Sequence, residues 1–143
     1  MKLWIDDLRS PPDNGWFWTK NSSDALVVIR LAAHQGGVIL NEISFDHDLG
    51  GEDIAVKVAN EIERLVYLGH LKMPAWKIHS ANPVGRANLE RALRSAERFD
   101  EIWLASGTDA RVDARVAETD DARDAPEDYH GETSKDGECH AVL

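Results

Sequence analysis

Short apolar segments end in clusters of acidic and other polar residues at three places in this chain. The segments are KLWI (2–5), ISF (43–45) and WKI (76–78), and the clusters that follow them are DDLR (6–9), DHD (46–48) and HSAN (79–82). Apolar runs this short are typical of buried strands. Strands that alternate with helices form a mostly parallel sheet, whose strands end at one shared edge. We therefore expect the three clusters to converge.

The predicted order of elements is β, loop, β, α, β, α, β, α, β. Strands are predicted over residues 2–5, 16–20, 43–45, 76–80 and 101–105, and helices over residues 22–34, 52–68 and 82–98. Pro11 and Pro12 exclude a regular helix from the first connection. The predicted fold is therefore an α/β, three-layer α/β/α sandwich with a mostly parallel sheet, in which a loop takes the place of a helix between the first two strands.

Local signals set the expected ends of these elements. Ser22 or Ser23 is expected to cap the first helix, and Gly36-Gly37 to end it. Asn82 followed by Pro83 is typical of a helix start. Residues 38–40 (VIL) are expected either to pair nearby or to lead into the strand at 43–45.

The acidity of the chain is concentrated near its end. The formal net charge is −10, and residues 106–143 contribute −7 of it, with eleven acidic and four basic residues. Few apolar residues recur at regular spacing there, so we predict one folded domain over 1–105 and an acidic, disordered tail over 106–143. General nucleic-acid binding is not expected, because phosphate neutralisation needs Lys and Arg.

The setting predicted for the chain is a reducing cytoplasm. A single cysteine, Cys139, provides no disulfide framework. No apolar run approaches the length of a membrane span, and the charged start MKLWIDD is not typical of a signal peptide. We expect a cytoplasmic protein without membrane association.

Carboxylates dominate two of the three clusters. Asp6, Asp7 and Asp46 would repel one another at one edge of a sheet unless a cation lay between them. Hard oxygen ligands with open water positions suit Mg²⁺, or Mn²⁺ in its place. We therefore predict a metal site formed by these three residues, with Asp7 able to act through a water molecule.

The third cluster complements the first two. The start of the helix at Asn82 offers free N–H groups, which favour an anion. Ser80, Asn82 and Arg86 are predicted to bind phosphate oxygens, as is Arg9 of the first cluster. The partner predicted for this edge is a small, phosphorylated, nucleotide-like ligand.

Several of these residues also have a purely structural interpretation. Asp48 can cap the Gly50-Gly51 turn, His79 can be a satisfied core histidine, and Asn82 can be a helix cap alone. Trp16 and Trp18 are expected to belong to the core and to an edge strand, with base stacking as the alternative.

The clusters resemble the receiver domains of response regulators. That pattern has an acidic pair after the first strand, an Asp after the third and a Ser or Thr after the fourth, matched here by Asp6-Asp7, Asp46 and Ser80. The resemblance implies a receiver-like (flavodoxin-like) fold. Receivers also place a Lys after the fifth strand, and none follows EIWLA here, which argues against a phosphorylation switch.

A closer resemblance is to the cyclic-phosphate-processing receiver-like domains of bacteria and phages. The resemblance covers about residues 2–98 and rests on three segments, WIDDLRSPP, ISFDHDLGG and IHSANPVGRANLE. This resemblance implies a phosphoesterase-like enzyme for cyclic phosphates on RNA ends, RNA-repair by-products or nucleotide signals.

The leading hypothesis is a divalent-metal-dependent hydrolase that opens a cyclic phosphate on a nucleotide, RNA end or ADP-ribose derivative. Asp46, His47 and His79 are the predicted catalytic residues, with the two imidazoles as general base and general acid. Covalent attack by Asp46 is a variant of this mechanism. The alternatives are a non-catalytic module that binds a phosphorylated ligand or a partner protein, and a true phosphoacceptor switch.

Overall fold

Four parallel strands and three helices make up the part of the chain that the computed structural model describes, residues 1–34 and 37–107. The elements are β1 (Lys2–Ile5), β2 (Trp16–Thr19), α1 (Ser22–Ala33), β3 (Glu42–Phe45), α2 (Val56–Tyr67), β4 (Ala75–Ile78) and α3 (Pro83–Ala105). The strand order is β2-β1-β3-β4. The predicted α/β receiver-like fold with a parallel sheet is confirmed, as is a loop without helix between β1 and β2.

The three helices lie on one face of this sheet. Leu3, Ile5, Ile43 and Phe45 are fully buried in one core with apolar residues of α1, α2 and α3. The connections from β2 to β3 and from β3 to β4 run in the same direction across the sheet, so right-handed crossovers put α1 and α2 on the same side. α3 packs against α2. The predicted three-layer sandwich requires helices on both faces of the sheet. Among the described residues, helices cover only one face.

Tryptophans and lysines occupy the opposite face of the sheet. Trp4 and Trp16 meet edge to face, with ring centroids 5.6 Å apart. The Lys2 and Lys77 ammonium groups lie 5.2 Å and 4.6 Å from the centroid of the Trp16 ring. Lysine stems and their cation–π contacts therefore cover Trp16, which is only 8% exposed.

The strand predicted at residues 101–105 is wrong, because these residues are the last turns of α3. The Trp103 indole N–H donates to the carbonyl oxygens of Val66 (3.0 Å) and Tyr67 (3.3 Å), which lie at the end of α2. Ile102 and Leu104, whose apolar character favoured a strand, are exposed. Packing against the end of α2 thus extends α3 beyond its predicted end at residue 98.

Smaller differences concern the ends of elements. Asn21, not Ser22 or Ser23, caps α1, because its side chain accepts a hydrogen bond from the Asp24 N–H. α2 begins at Val56 rather than near residue 52, because residues 48–54 form a loop. In this loop the Leu49 N–H donates to the Asp53 carbonyl oxygen, and the Asp53 N–H donates to the Gly50 carbonyl oxygen. Residues 38–40 form no strand.

Three further expectations concern the end of β4, the predicted tail and the membrane. β4 ends at Ile78, two residues before the predicted end. Gly36 and residues 108–143 of the predicted acidic tail lie outside the described residues. No helix in the described part of the chain is long and apolar enough to cross a membrane.

Glu61 provides a test of the packing between α1 and α2. Its carboxylate accepts hydrogen bonds from Arg64 on α2 and from Arg30 on α1. Hydrogen bonds from Arg64 lower the pKa of Glu61 to about 2, with Arg30 adding to the effect and burial opposing it. The carboxylate therefore stabilises the fold above the unfolded-state pKa near 4.5, and this stabilisation is lost as the pH falls towards 2.

We expect Glu61→Gln to lower the free energy of unfolding by about 1 to 2 kcal/mol at neutral pH, a value reduced for solvent screening of the exposed arginines. Urea unfolding between pH 7 and pH 3 measures the difference, which should shrink over the acidic part of this range. Glu63→Gln, on the same helix, is the control. Identical pH profiles for the two variants would contradict the assignment.

Candidate active site

The carboxylate of Asp6 lies at the centre of the converging strand ends and is fully buried. Oδ1 accepts from the backbone N–H groups of Leu8 (2.9 Å) and Arg9 (2.6 Å). Oδ2 accepts from Arg9 Nε (2.8 Å) and lies 3.1 Å from His79 Nε2. Two carboxylate oxygens offer about four acceptor sites, so all of them have donors.

Asp6 is ionised in this environment. Burial alone raises the pKa of Asp6, but the backbone N–H groups of Arg9 and Leu8, the His79 hydrogen bond and the Arg9 charge together outweigh it. The net result is a pKa below the usual value.

Arg9 connects two of the predicted clusters. Besides its bond to Asp6, its guanidinium donates through NH2 to Asp46 Oδ2 (2.7 Å) and through NH1 to the His79 carbonyl oxygen (3.2 Å). Arg9 was predicted to bind phosphate, and in this structure it forms ion pairs with carboxylates of the predicted metal site.

The three predicted metal ligands are close enough to share a cation. Oxygen atoms of Asp6, Asp7 and Asp46 lie within 4.8 Å of one another. Asp7 has no hydrogen bond within the described residues, whereas Asp46 Oδ1 accepts from the His47 N–H (2.8 Å). An all-oxygen donor set of this kind fits Mg²⁺ or Mn²⁺.

His79 has a partner on each ring nitrogen. Nδ1 lies 2.7 Å from Ser44 Oγ, and the ring stacks on Trp4 with centroids 4.0 Å apart. Burial lowers the pKa of His79, and the opposing effect of Asp6 does not restore it. The ring is therefore neutral. Because the Asp6 carboxylate only accepts hydrogen bonds, Nε2 carries the proton and Nδ1 accepts from the Ser44 hydroxyl.

His47 and Asp48 form a second pair. His47 Nδ1 lies 2.8 Å from Asp48 Oδ1, and Asn82 Nδ2 lies 3.2 Å from Asp48 Oδ2. Hydrogen bonds from His47 and from Asn82 lower the pKa of Asp48, so this group is a carboxylate. Nδ1 of His47 therefore donates to Asp48, and Nε2 is the ring nitrogen that this bond leaves without a partner. Asp48 thus orients His47.

The His47 ring packs directly against the first turn of α3. A Cβ atom added at Gly85 would overlap the ring and stand 2.6 Å from its Nδ1. Only glycine allows this approach, so Gly85 positions a predicted catalytic residue although the sequence pattern did not single it out for this role.

The remaining predicted phosphate ligands surround the start of α3. Asn82 is the helix cap, with Oδ1 accepting from the Gly85 N–H (2.9 Å), as its structural interpretation expected. Ser80 is buried, and its hydroxyl accepts from the Asn82 N–H (3.3 Å). Arg86 NH1 donates to the carbonyl oxygens of Ile78 and Ser80. The structure therefore brings Ser80, Asn82 and Arg86 to this edge, and phosphate binding by them stays a prediction.

Sequence reasoning missed two groups of supporting residues. Ser44 is a fully buried hydroxyl inside β3, and its polarity within the apolar run ISF was the available signal. The indole N–H groups of Trp18 and Trp4 donate to the carbonyl oxygens of Asp6 (2.6 Å) and Arg9 (2.8 Å). These bonds fix the backbone of the DDLR cluster, and strand periodicity alone does not reveal them.

The fold and this edge define a receiver-like α/β domain with an acidic cluster at the carboxyl ends of its strands. The family model described as cyclic-phosphate processing receiver domain matches residues 1–95. The chain therefore belongs to this family, as the resemblance implied. Comparisons with curated proteins and with solved structures found no match.

Asp6 and Asp7 are neighbours with different expected effects on stability. Asp6→Asn places an N–H₂ group among four donors in a buried site, so we expect the free energy of unfolding to fall by about 2 to 4 kcal/mol. Asp7→Asn should change it by less than about 0.5 kcal/mol, because Asp7 has no hydrogen bond in the described structure. Urea unfolding measures both, and equal losses for the two variants would contradict the central position of Asp6.

Gly85→Ala is expected to destabilise the protein although alanine favours helices. The gain in helix propensity stabilises the variant by about 1 kcal/mol. The overlap with the His47 ring outweighs this gain, so the free energy of unfolding should fall by a net of about 1 to 3 kcal/mol. Ala87→Gly, an exposed site on the same helix, measures the propensity contribution alone. A Gly85→Ala protein at least as stable as wild type would show that the His47 ring is not held in this position.

Proposed function

We propose that this protein is a metal-dependent phosphoesterase-like enzyme that hydrolyses a cyclic phosphate on a nucleotide, an RNA end or an ADP-ribose derivative. One observation supports this most: three carboxylates within 4.8 Å of one another share an edge with an oriented His–Asp pair. Membership of the cyclic-phosphate processing receiver family supports the same class of ligand.

Ring opening requires that water attacks phosphorus and that one ester oxygen leaves with a proton. His47 is suited to accept the proton of the water, because Asp48 holds its Nδ1–H and leaves Nε2 as the acceptor. The attacking and leaving oxygens lie in line on opposite sides of phosphorus, so a second group must serve the leaving oxygen. We assign to His79 the hydrogen bond to the leaving oxygen, which the Nε2–H that now bonds Asp6 would donate. The proton that this oxygen takes up would come from water, because a neutral imidazole does not give up its N–H proton.

Asp6, Asp7 and Asp46 would hold the metal ion. Bound there, Mg²⁺ or Mn²⁺ would supply charge that polarises the phosphate and lowers the pKa of water. Asp7 and the partly exposed Asp46 are the more accessible ligands, whereas Asp6 is enclosed by its four donors.

The start of α3 would bind the phosphate oxygens. Backbone N–H groups in the first turn of a helix favour an anion. The side chain of Asn82, which caps this turn, donates a hydrogen bond to Asp48 and so connects the turn to the His47–Asp48 pair. Arg86 is exposed at the same turn, and only its NH1 has a partner among the described residues. Its remaining N–H groups are free to bind a phosphate.

The test is turnover of defined cyclic phosphates, followed by phosphorus NMR. Purified protein with Mg²⁺ or Mn²⁺ is incubated with 2′,3′-cyclic nucleotides, an RNA carrying a cyclic-phosphate end and ADP-ribose cyclic phosphate. We expect ring opening of at least one compound, and its loss on adding a chelator or in the Asp46→Asn variant.

The histidines separate catalysis from binding. His47→Ala should lower kcat by about 100-fold or more, as expected for loss of a general base. His34→Ala, at the far end of α1, is the matched control and should retain wild-type kcat. If none of the compounds is hydrolysed while their phosphorus chemical shifts still change on adding protein, the protein is a non-catalytic module that binds phosphorylated ligands. A covalent phosphate on Asp46 would instead support the phosphoacceptor alternative.

A further inference from the structure

The guanidinium of Arg9 lies among the carboxylates that would hold the metal. Its Nε is 2.8 Å from Asp6 Oδ2 and its NH2 is 2.7 Å from Asp46 Oδ2. One fixed positive charge thus neutralises part of a cluster whose oxygens lie within 4.8 Å of one another. This contact offsets part of the repulsion among the three carboxylates.

The same contact hinders the binding of a divalent cation to the cluster. The acceptor sites of Asp6 are filled by Leu8, Arg9 and His79, and Asp46 accepts from Arg9 on one oxygen and from the His47 N–H on the other. A divalent cation needs lone pairs of these oxygens directly. Asp46 Oδ2 has a second lone pair, but a cation bound there would stand beside the guanidinium, whose NH2 lies 2.7 Å from this oxygen. The two positive charges repel each other, so close binding of the metal favours displacement of the guanidinium.

The Arg9 side chain can move while its backbone stays in place. The Arg9 N–H donates to Asp6 Oδ1 (2.6 Å), and its carbonyl oxygen accepts from the Trp4 indole N–H (2.8 Å). Its side chain is 51% exposed, so solvent can receive the displaced guanidinium without further unfolding.

We infer that Arg9 is the resident counter-cation of the cluster and that a divalent cation displaces its guanidinium, which then becomes available to bind a phosphate. The inference rests on the metal site of the proposed function and adds an order of events to it. Arg9 and the metal compete for the carboxylates, and the metal uncovers a phosphate-binding group. By linkage, phosphate must in turn strengthen metal binding.

Metal affinity measured without any substrate tests the competition. Mn²⁺ binding is followed by electron paramagnetic resonance in wild type, Arg9→Ala and Arg86→Ala. Arg86 is the matched control, because it carries the same charge near this edge but bonds only backbone carbonyl oxygens among the described residues. We expect Arg9→Ala to bind Mn²⁺ about tenfold more tightly or better, and Arg86→Ala to change affinity by less than about threefold.

Two other results of the Mn²⁺ measurement would reject different parts of the proposal. Wild-type binding that Arg9→Ala leaves unchanged or weakens overturns the competition alone and leaves the metal site standing. No Mn²⁺ binding to any of the three proteins overturns the metal component of the proposed function, and the inference with it.

The wild-type protein provides an independent measurement should Arg9→Ala not fold. The Nε–H proton of Arg9, bonded to Asp6, should give its own NMR signal. Addition of Mg²⁺ should shift or broaden this signal, while the backbone N–H signal of Arg9 persists. A side-chain signal that stays unchanged at saturating Mg²⁺ overturns the inference.

Inorganic phosphate tests the second step. Mg²⁺ should tighten phosphate binding to the wild type, measured by phosphorus NMR line broadening, and should do so less in Arg9→Ala. Equal enhancement in both proteins would show that the displaced guanidinium does not bind the anion, and would overturn this part of the inference.

Discussion

The rest of the site depends on one buried charge, the carboxylate of Asp6. Removing a carboxylate from water is costly unless donors compensate for it, and here four donors do so. Two donors come from the backbone just after β1, one from Arg9, which also reaches Asp46 after β3, and one from His79 after β4. Asp6 thus holds three strand ends in a fixed arrangement, and this arrangement brings the carboxylates of the candidate site together.

The one-sided fold explains the surroundings of that charge. The proline-containing loop after β1 places no helix over the second face of the sheet, where Trp4, Ser44 and His79 lie side by side. His79 consequently rests on an indole and a hydroxyl instead of on a helix. The same arrangement lets Trp4 and Trp18 bond the backbone of the acidic loop. Fold and site are therefore connected through tryptophans on the sheet face opposite the three helices.

The positions of the polar clusters were predictable, whereas their partners were not. Alternating strands and helices imply a shared edge, so the proximity of Asp6, Asp7 and Asp46 followed from the order of elements alone. The engagement of Arg9 with two carboxylates depends on side-chain geometry, which no periodicity encodes. Residues 101–105 were misassigned because a five-residue apolar run suits a strand or a helix equally, and the Trp103 contact with α2 decides between them.

The proposed function requires that cyclic phosphates bind at the carboxyl ends of the strands, between the carboxylates and the start of α3. Titration with a 2′,3′-cyclic nucleotide and Mg²⁺, followed by backbone amide NMR shifts, locates the bound ligand. We expect shifts concentrated at residues 6–9, 46–50 and 79–86, and their loss in Asp46→Asn. Shifts confined to the outer surface of α2 and α3, with these three segments unchanged, would contradict it.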